Sequence, residues 1–338
     1  MTADSLEPSA PVPPATPQPA AKKRRYYTPA RIFRRLALVL ILYLGLCSAI
    51  AWMSVEKKSR PMQSGNFYFG PRAQDVTFTS SDGTKLSGWY VPTDKLQRPK
   101  GVVVLCHGVD GDRTAMIRPA KMLLSHGYAV LLFDFRARGR SGGERCTIGY
   151  RETDDLLAAV DLVRKRPDLH GVPIGLLGHS MGGAVVLMAA ARSSDIRAVV
   201  AESPFASLDH AVANHFHDVF GWVSPIFEIP SQRMGEQLIG RKSSDIAPVK
   251  EIARIAPNAV FLIQDADDTL CPAAETDALL AAAGEPKSLW TVPHSDHVQA
   301  VEREPKAFEA RVTSFFDTNL ALSQTQPKEV KEAKQAKP

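Results

Sequence analysis

Apolar positions along this chain fall into unbroken short runs, helical spacings, and one long stretch with no polar interruption. The short runs lie at residues 102–106, 128–133, 174–178, 197–202, 259–263 and 288–292. The runs at 102–106, 128–133, 174–178 and 259–263 are rich in Val, Ile, Leu or Phe, the signature of buried strands, and 197–202 and 288–292 read as further strands. Between them, residues near 114–125, 153–165 and 181–191 repeat their apolar positions at helical spacing, and Val298, Val301, Phe308 and Phe315-Phe316 predict a last helix. Alternation of this kind implies a mostly parallel sheet with helices on both faces. Upstream, Val76-Thr77-Phe78 and Leu86-Ser87-Gly88-Trp89-Tyr90-Val91 flank Ser81-Asp82-Gly83-Thr84, a hairpin with an Asp-Gly turn. The alternation fails between Ser203 and about Lys250, where Phe205, Phe216, Phe220, Trp222 and Phe227 accumulate beside Pro225 and Pro230. That segment reads as a small helical cap at about 203–250 whose aromatics together favour an apolar pocket wall.

The long stretch is Leu36 to Met53, eighteen residues without a charge. At ~1.5 Å per residue it reaches ~27 Å, close to the ~30 Å hydrocarbon core of a bilayer. Seven basic residues precede it from Lys22 to Arg35, against Lys57, Lys58 and Arg60 after it, so the positive-inside rule puts the N-terminus in the cytoplasm. The domains expected are a Pro/Ala-rich disordered tail at 1–30, a transmembrane signal-anchor at 31–54, a globular domain at 66–318 and a second disordered tail at 319–338. The globular domain then faces outward from the plasma (inner) membrane, on the periplasmic side. A competing reading takes the stretch as the core of a cleaved signal peptide with Ala49-Ile50-Ala51 as the processing site.

Composition narrows the class. The chain has 338 residues and a formal net charge of +5, much of it contributed by the basic residues around the apolar stretch. This charge points to a membrane surface and not to nucleic acid. Once tail and anchor are set aside, about 255 residues remain, enough for one α/β domain. Four cysteines show no zinc-like spacing. His210, His215 and His217 are not matched with acids at ligand spacing, so neither a metal nor another cofactor is expected. Cys146 and Cys271 are placed where a disulfide is conceivable, although unpaired thiols are the simpler expectation.

The chemistry is concentrated in Gly178-His179-Ser180-Met181-Gly182, a G-x-S-x-G between a predicted strand and a predicted helix. A sharp turn there would lift the Ser180 hydroxyl out of the sheet at a helix N-terminus. The strand at 259–263 opens into Gln264-Asp265-Ala266-Asp267-Asp268, and the strand at 288–292 into Pro293-His294-Ser295-Asp296-His297. Serine, carboxylate and imidazole therefore each follow a predicted strand toward one sheet edge, in the order Ser180, Asp268, His297. Asp267 competes with Asp268 for the carboxylate role, and His294 with His297 for the base. Asp265, Asp267 and Asp296 are expected to face water.

From about Val76 to Phe316 the chain resembles the α/β-hydrolase fold superfamily, and within it the small-cap, serine aminopeptidase-like group. Four features carry the likeness: Leu105-Cys106-His107-Gly108, the Phe133-to-Gly143 segment, the Ser180 turn, and the Asp and His loops. The resemblance implies an α/β-hydrolase fold with a small cap. It assigns Asp268 by its place four residues before Pro272, and oxyanion donors at the backbone N–H groups of Val109 and Met181. His107 is expected to support the site through hydrogen bonds, and Cys106 to pack in the core. Asp265 stands where the family usually has glycine, Gln264 where histidine is frequent, and Ala137 where a glycine is usual. The implied activity is hydrolysis of a carboxylic ester, extending to a thioester or lipid acyl ester, through an acyl-enzyme at Ser180. A peptidase or amidase and a non-catalytic tethered binding module stand as alternatives.

Overall fold

The computed structural model describes residues 28–321. The expected tails fall largely outside that range. Eight strands form one sheet: β1 (Gln74–Thr79), β2 (Lys85–Val91), β3 (Val102–Cys106), β4 (Ala129–Asp134), β5 (Ile174–His179), β6 (Ile196–Glu202), β7 (Ala259–Asp265) and β8 (Lys287–Val292). Their spatial order is β8-β7-β6-β5-β3-β4-β2-β1. The β1–β2 and β2–β4 pairs are antiparallel, and all other pairs are parallel. The runs at 102–106, 128–133, 174–178 and 259–263 occupy inner strands, as burial on both faces demands, whereas 288–292 forms the edge strand β8 and is only partly buried.

Alternate residues of a strand serve opposite faces, and two cores result. Val102, Val104 and Cys106 of β3 join one core, whereas Val103 and Leu105 join the other. The first is covered by helices α3 (Glu152–Lys165), α4 (Met181–Ala190) and α7 (Ala273–Ala282). The second is covered by α2 (Ile117–Ser125) and α8 (Pro305–Asn319). Every residue of α4 is buried, so it lacks the polar face of a surface helix. Leu320, assigned by sequence to the tail, is buried in the second core.

Between β6 and β7 the chain leaves the sheet for α5 (Leu208–Phe220) and α6 (Ser224–Ile239), followed by short turns of 3₁₀ helix. Phe216, Phe220 and Phe227 stack in sequence across the two helices, with centroids 5.8 and 4.7 Å apart. The cap's His210 does have an acidic partner, Glu275, at 3.0 Å.

The apolar stretch lies in helix α1 (Pro29–Val55), the one helix among the described residues long and apolar enough to cross a membrane. The described chain divides into a body ending at Tyr43 and a second beginning at Leu44 that contains the whole hydrolase fold. Within the second body, the end of α1 is not a free tether. Cys47, Ala51 and Val55 are buried, Cys146 N donates to Val55 O at 2.9 Å, and Lys58–Ser59 pairs with Arg138–Gly139 as a short parallel ladder.

Candidate active site

Ser180 sits between β5 and α4 with φ 55° and ψ −120°, a conformation that residues other than glycine rarely adopt. Close approach on both sides makes the flanking glycines necessary. A Cβ at Gly178 would lie 2.2 Å from Gly182 O, and one at Gly182 would lie 2.3 Å from Cys106 O. The strained turn lets the serine stand clear of the sheet while its neighbours pack backbone to backbone.

His297 Nε2 is 2.8 Å from Ser180 Oγ, and His297 Nδ1 is 2.7 Å from Asp268 Oδ2. The carboxylate offers acceptors only, so Nδ1 carries the proton and Nε2 is left to accept from the serine hydroxyl. Asp268 is buried, and its other oxygen accepts from Leu270 N at 3.0 Å and Cys271 N at 2.8 Å. The competitors Asp267 and His294 are exposed, as is Asp296.

Gly108 packs against the serine: a Cβ placed there would meet Ser180 Cβ at 3.4 Å. His107 is fully buried, which lowers its pKa and keeps the imidazole neutral. It has one donor and one acceptor to satisfy. Its Nε2 accepts from Phe135 N at 3.1 Å, so Nδ1 donates to Gly108 O at 2.7 Å. Holding the Gly108 carbonyl toward the ring turns the Val109 N–H the opposite way in a trans peptide. Arg138 Nε then fixes the next carbonyl, that of Val109, at 2.5 Å. Among the described residues, the N–H groups of Val109 and Met181 have no acceptor. Met181 is the first residue of α4, whose N-terminus adds a favourable dipole for negative charge.

Asp265 departs from the sequence reading. It is completely buried instead of facing water, because β7 runs on to include it. It accepts hydrogen bonds from Ser295 Oγ at 2.5 Å, Ser203 Oγ at 2.8 Å and Val298 N at 3.0 Å. Ser295 and Val298 bracket His297, so this carboxylate holds the loop that carries the imidazole. Burial, reinforced by nearby Glu202, pushes its pKa up to about 6. Gln264 ties down the neighbouring loop, donating to Asp265 O at 2.7 Å and Cys271 O at 3.2 Å. Ala137, standing where a glycine is usual, has a φ of 55°.

All four cysteines are free and buried, so the conceivable Cys146–Cys271 bridge is not formed. Burial pushes the Cys271 thiol well above its usual range, leaving it protonated beside Asp268 and His297. Glu202, the last residue of β6, is buried. It accepts from Ala300 N at 3.0 Å and lies 3.1 Å from His179 Nε2 without hydrogen-bond alignment.

Ser180 opens into a cavity of about 250 Å3. Its walls include Phe205, Leu208, Phe216 and Ile239 from the cap side and Ile50, Ala51, Ser54 and Val55 from α1. Two carboxylates border it, and both are engaged: Asp110 with Lys58 at 2.5 Å, Glu236 with Ser243 N and Oγ at 3.0 and 2.8 Å.

An eight-stranded, mostly parallel sheet with a serine on the strand-to-helix turn and a cap over the strand ends defines an α/β hydrolase. The comparisons agree. A family model described as serine aminopeptidase, S33, matches residues 97–253. The uncharacterized protein YfhR of Salmonella typhimurium is 30% identical over 274 residues, 76% of this chain and 86% of YfhR. Another uncharacterized protein, from Mycobacterium tuberculosis, is 32% identical over 244 residues, 72% of this chain and 76% of its own. Among solved structures, the Pyrococcus furiosus esterase Pf2001 superposes with a TM-score of 0.65 at 26% identity, covering 79% of this chain and 98% of the esterase. The chain belongs to the α/β-hydrolase superfamily.

Proposed function

We propose that the protein is a membrane-anchored serine hydrolase that cleaves carboxylic esters through an acyl-enzyme at Ser180. The observation that carries this reading is the unbroken chain from Ser180 Oγ to His297 Nε2 at 2.8 Å and from His297 Nδ1 to Asp268 Oδ2 at 2.7 Å. In this mechanism His297 takes the serine proton during attack and returns it to the leaving alcohol. Asp268 holds the imidazole tautomer and stabilises the imidazolium. The N–H groups of Val109 and Met181 receive the oxyanion, each donor contributing about 10²- to 10³-fold in rate. Water then repeats the sequence against the acyl-enzyme.

The cavity favours an ester over a peptide. Its walls are predominantly apolar, and the two bordering carboxylates are already partnered, leaving neither free to grip an α-amino group. Helix α1 acts as the anchor, with the N-terminus in the cytoplasm and the hydrolase outside the inner membrane. Labelling with a fluorophosphonate tests the chemistry: the wild-type chain is labelled and Ser180→Ala is silent. A well-folded wild-type protein that resists the probe overturns the reading in favour of a binding module.

A further inference from the structure

Helix α1 has two tasks that conflict if the cap is a water-exposed lid. A bilayer core of ~30 Å needs about 20 helical residues, and a span that enters at Leu36 consumes the helix to Val55. Yet its last twelve residues, Leu44–Val55, belong to the same compact body as the hydrolase. The apolar residues that remain, Leu36–Tyr43, reach only ~12 Å. Whatever is packed on Leu44–Val55 therefore shares its depth in the membrane.

The cap is packed there. Ser48 Oγ donates to Met234 Sδ of α6 at 3.1 Å, and Val55 lies in one apolar core with Leu208 and Ile239. The cap surface suits such a position. Val219 near the end of α5, Trp222 in the turn and Ile229 in α6 are exposed by 58%, 89% and 56%. On α1 itself Leu46 and Met53 are also uncovered. Exposed apolar side chains of this size, beside a helix of membrane length, fit hydrocarbon better than water.

The site has a matching depth marker. Lys57 and Lys58 follow the helix, and with Leu36–Val55 across the bilayer they would fall at the level of lipid phosphates, where basic residues are favoured. Lys58 pairs with Asp110, the residue after the proposed oxyanion donor Val109. In that placement Ser180 would lie near the headgroup boundary, where the ester carbonyls of membrane lipids lie. From there the cavity extends along Ile50, Ala51, Ser54 and Val55.

We infer that the cap and the last three turns of α1 are immersed together in the outer leaflet, and that the substrate is an acyl-ester lipid of that leaflet. Its chain enters the cavity sideways from the bilayer, with α1 as one wall. This rests on the proposed ester hydrolysis for its substrate and on the proposed anchoring by α1 for its immersion.

The test uses the full chain reconstituted in vesicles of phosphatidylethanolamine and phosphatidylglycerol, with a fluorophore on Trp222→Cys or, for reference, on exposed Lys306→Cys. Lipids brominated along their acyl chains should quench the label at 222 and leave that at 306 unaffected. Fluorophosphonate labelling of Ser180 is measured on the same samples. Absence of quenching at 222 with Ser180 still labelled overturns the immersion and leaves the hydrolase intact. Quenching without labelling overturns the substrate assignment and keeps the membrane surface. Disulfide cross-linking of Trp222→Cys between two copies would assign the patch to a dimer and also overturn the proposal. For the shared wall, Ala51→Trp should lower the ratio of kcat/KM for dodecanoyl over butanoyl p-nitrophenyl ester at least about tenfold, the scale on which pocket walls discriminate chain length. An unchanged ratio removes α1 from the acyl site.

Discussion

Replacing Asp268 by Asn tests the site at the point where its hydrogen bonds are most constrained. One carboxylate oxygen accepts two backbone N–H groups, from Leu270 and Cys271, and the other accepts Nδ1–H of His297. Asn has one acceptor and one donor end, so it cannot satisfy both sets. Turning its NH₂ toward Leu270 and Cys271 would leave two buried donors facing a donor, a loss of about 1–3 kcal/mol for each. The amide oxygen therefore stays with the backbone and the NH₂ faces Nδ1. The ring must then accept at Nδ1 and carry its proton on Nε2, where it can no longer take the Ser180 proton. A wrong tautomer of this kind lowers kcat by about 10⁴, or about 5.5 kcal/mol in the barrier. The assay is kcat/KM on a p-nitrophenyl ester together with the rate of fluorophosphonate labelling, with thermal unfolding as a control for folding. Asp267→Asn, at an exposed position, should stay within about twofold of wild type. Retention of more than about a tenth of the activity in Asp268→Asn, or collapse in Asp267→Asn alone, refutes the assignment.

Gly182→Ala places a methyl 2.3 Å from Cys106 O and 2.7 Å from His107 O, so the turn must move by about 1 Å and turnover should drop about 10²-fold, read as kcat on the same ester. Asp134→Ala removes the acceptor of Arg113 Nη2, Arg113 N and Arg140 N; leaving Arg113 buried and unpaired should destabilise the fold by about 3–5 kcal/mol in urea titrations. Asp265 makes stability depend on pH, with a folded pKa of about 6 against an ordinary value of 3.8. Between these values the folded chain holds more protons than the unfolded one, so the contribution of this group falls as pH rises from about 4 to about 6, by about 3 kcal/mol at most. Asp265→Asn should flatten that part of the stability curve, and a wild-type slope retained in the variant would assign it elsewhere.

Local pattern made the sheet readable, because β3, β5 and β7 are buried on both faces and contain little besides aliphatic residues. The serine turn was equally visible, since its glycines are demanded by contacts within a few residues and with the adjacent strand. Asp265 was not visible: its partners Ser203 and Ser295 are 62 and 30 positions away, and only the assembled sheet brings them together. The family position hinted at something, as a glycine there cannot accept three hydrogen bonds. The end of α1 was missed for another reason. An all-apolar helix looks alike on every side, although Cys47, Ala51 and Val55 recur every fourth residue, a stripe that marks the packed face.

That stripe relocates the point at which the chain can be cut. A truncation made just after the apolar stretch, the usual choice for expressing a soluble fragment, would discard Cys47 and Ala51 and uncover the core beneath them. Processing after Ala51 would remove the same two residues in the cell, producing a shorter species whose pocket lacks Ile50 and Ala51 from one wall. Fragments beginning at Leu44 and at Glu56 should therefore behave as different proteins, the first needing detergent and the second losing cohesion.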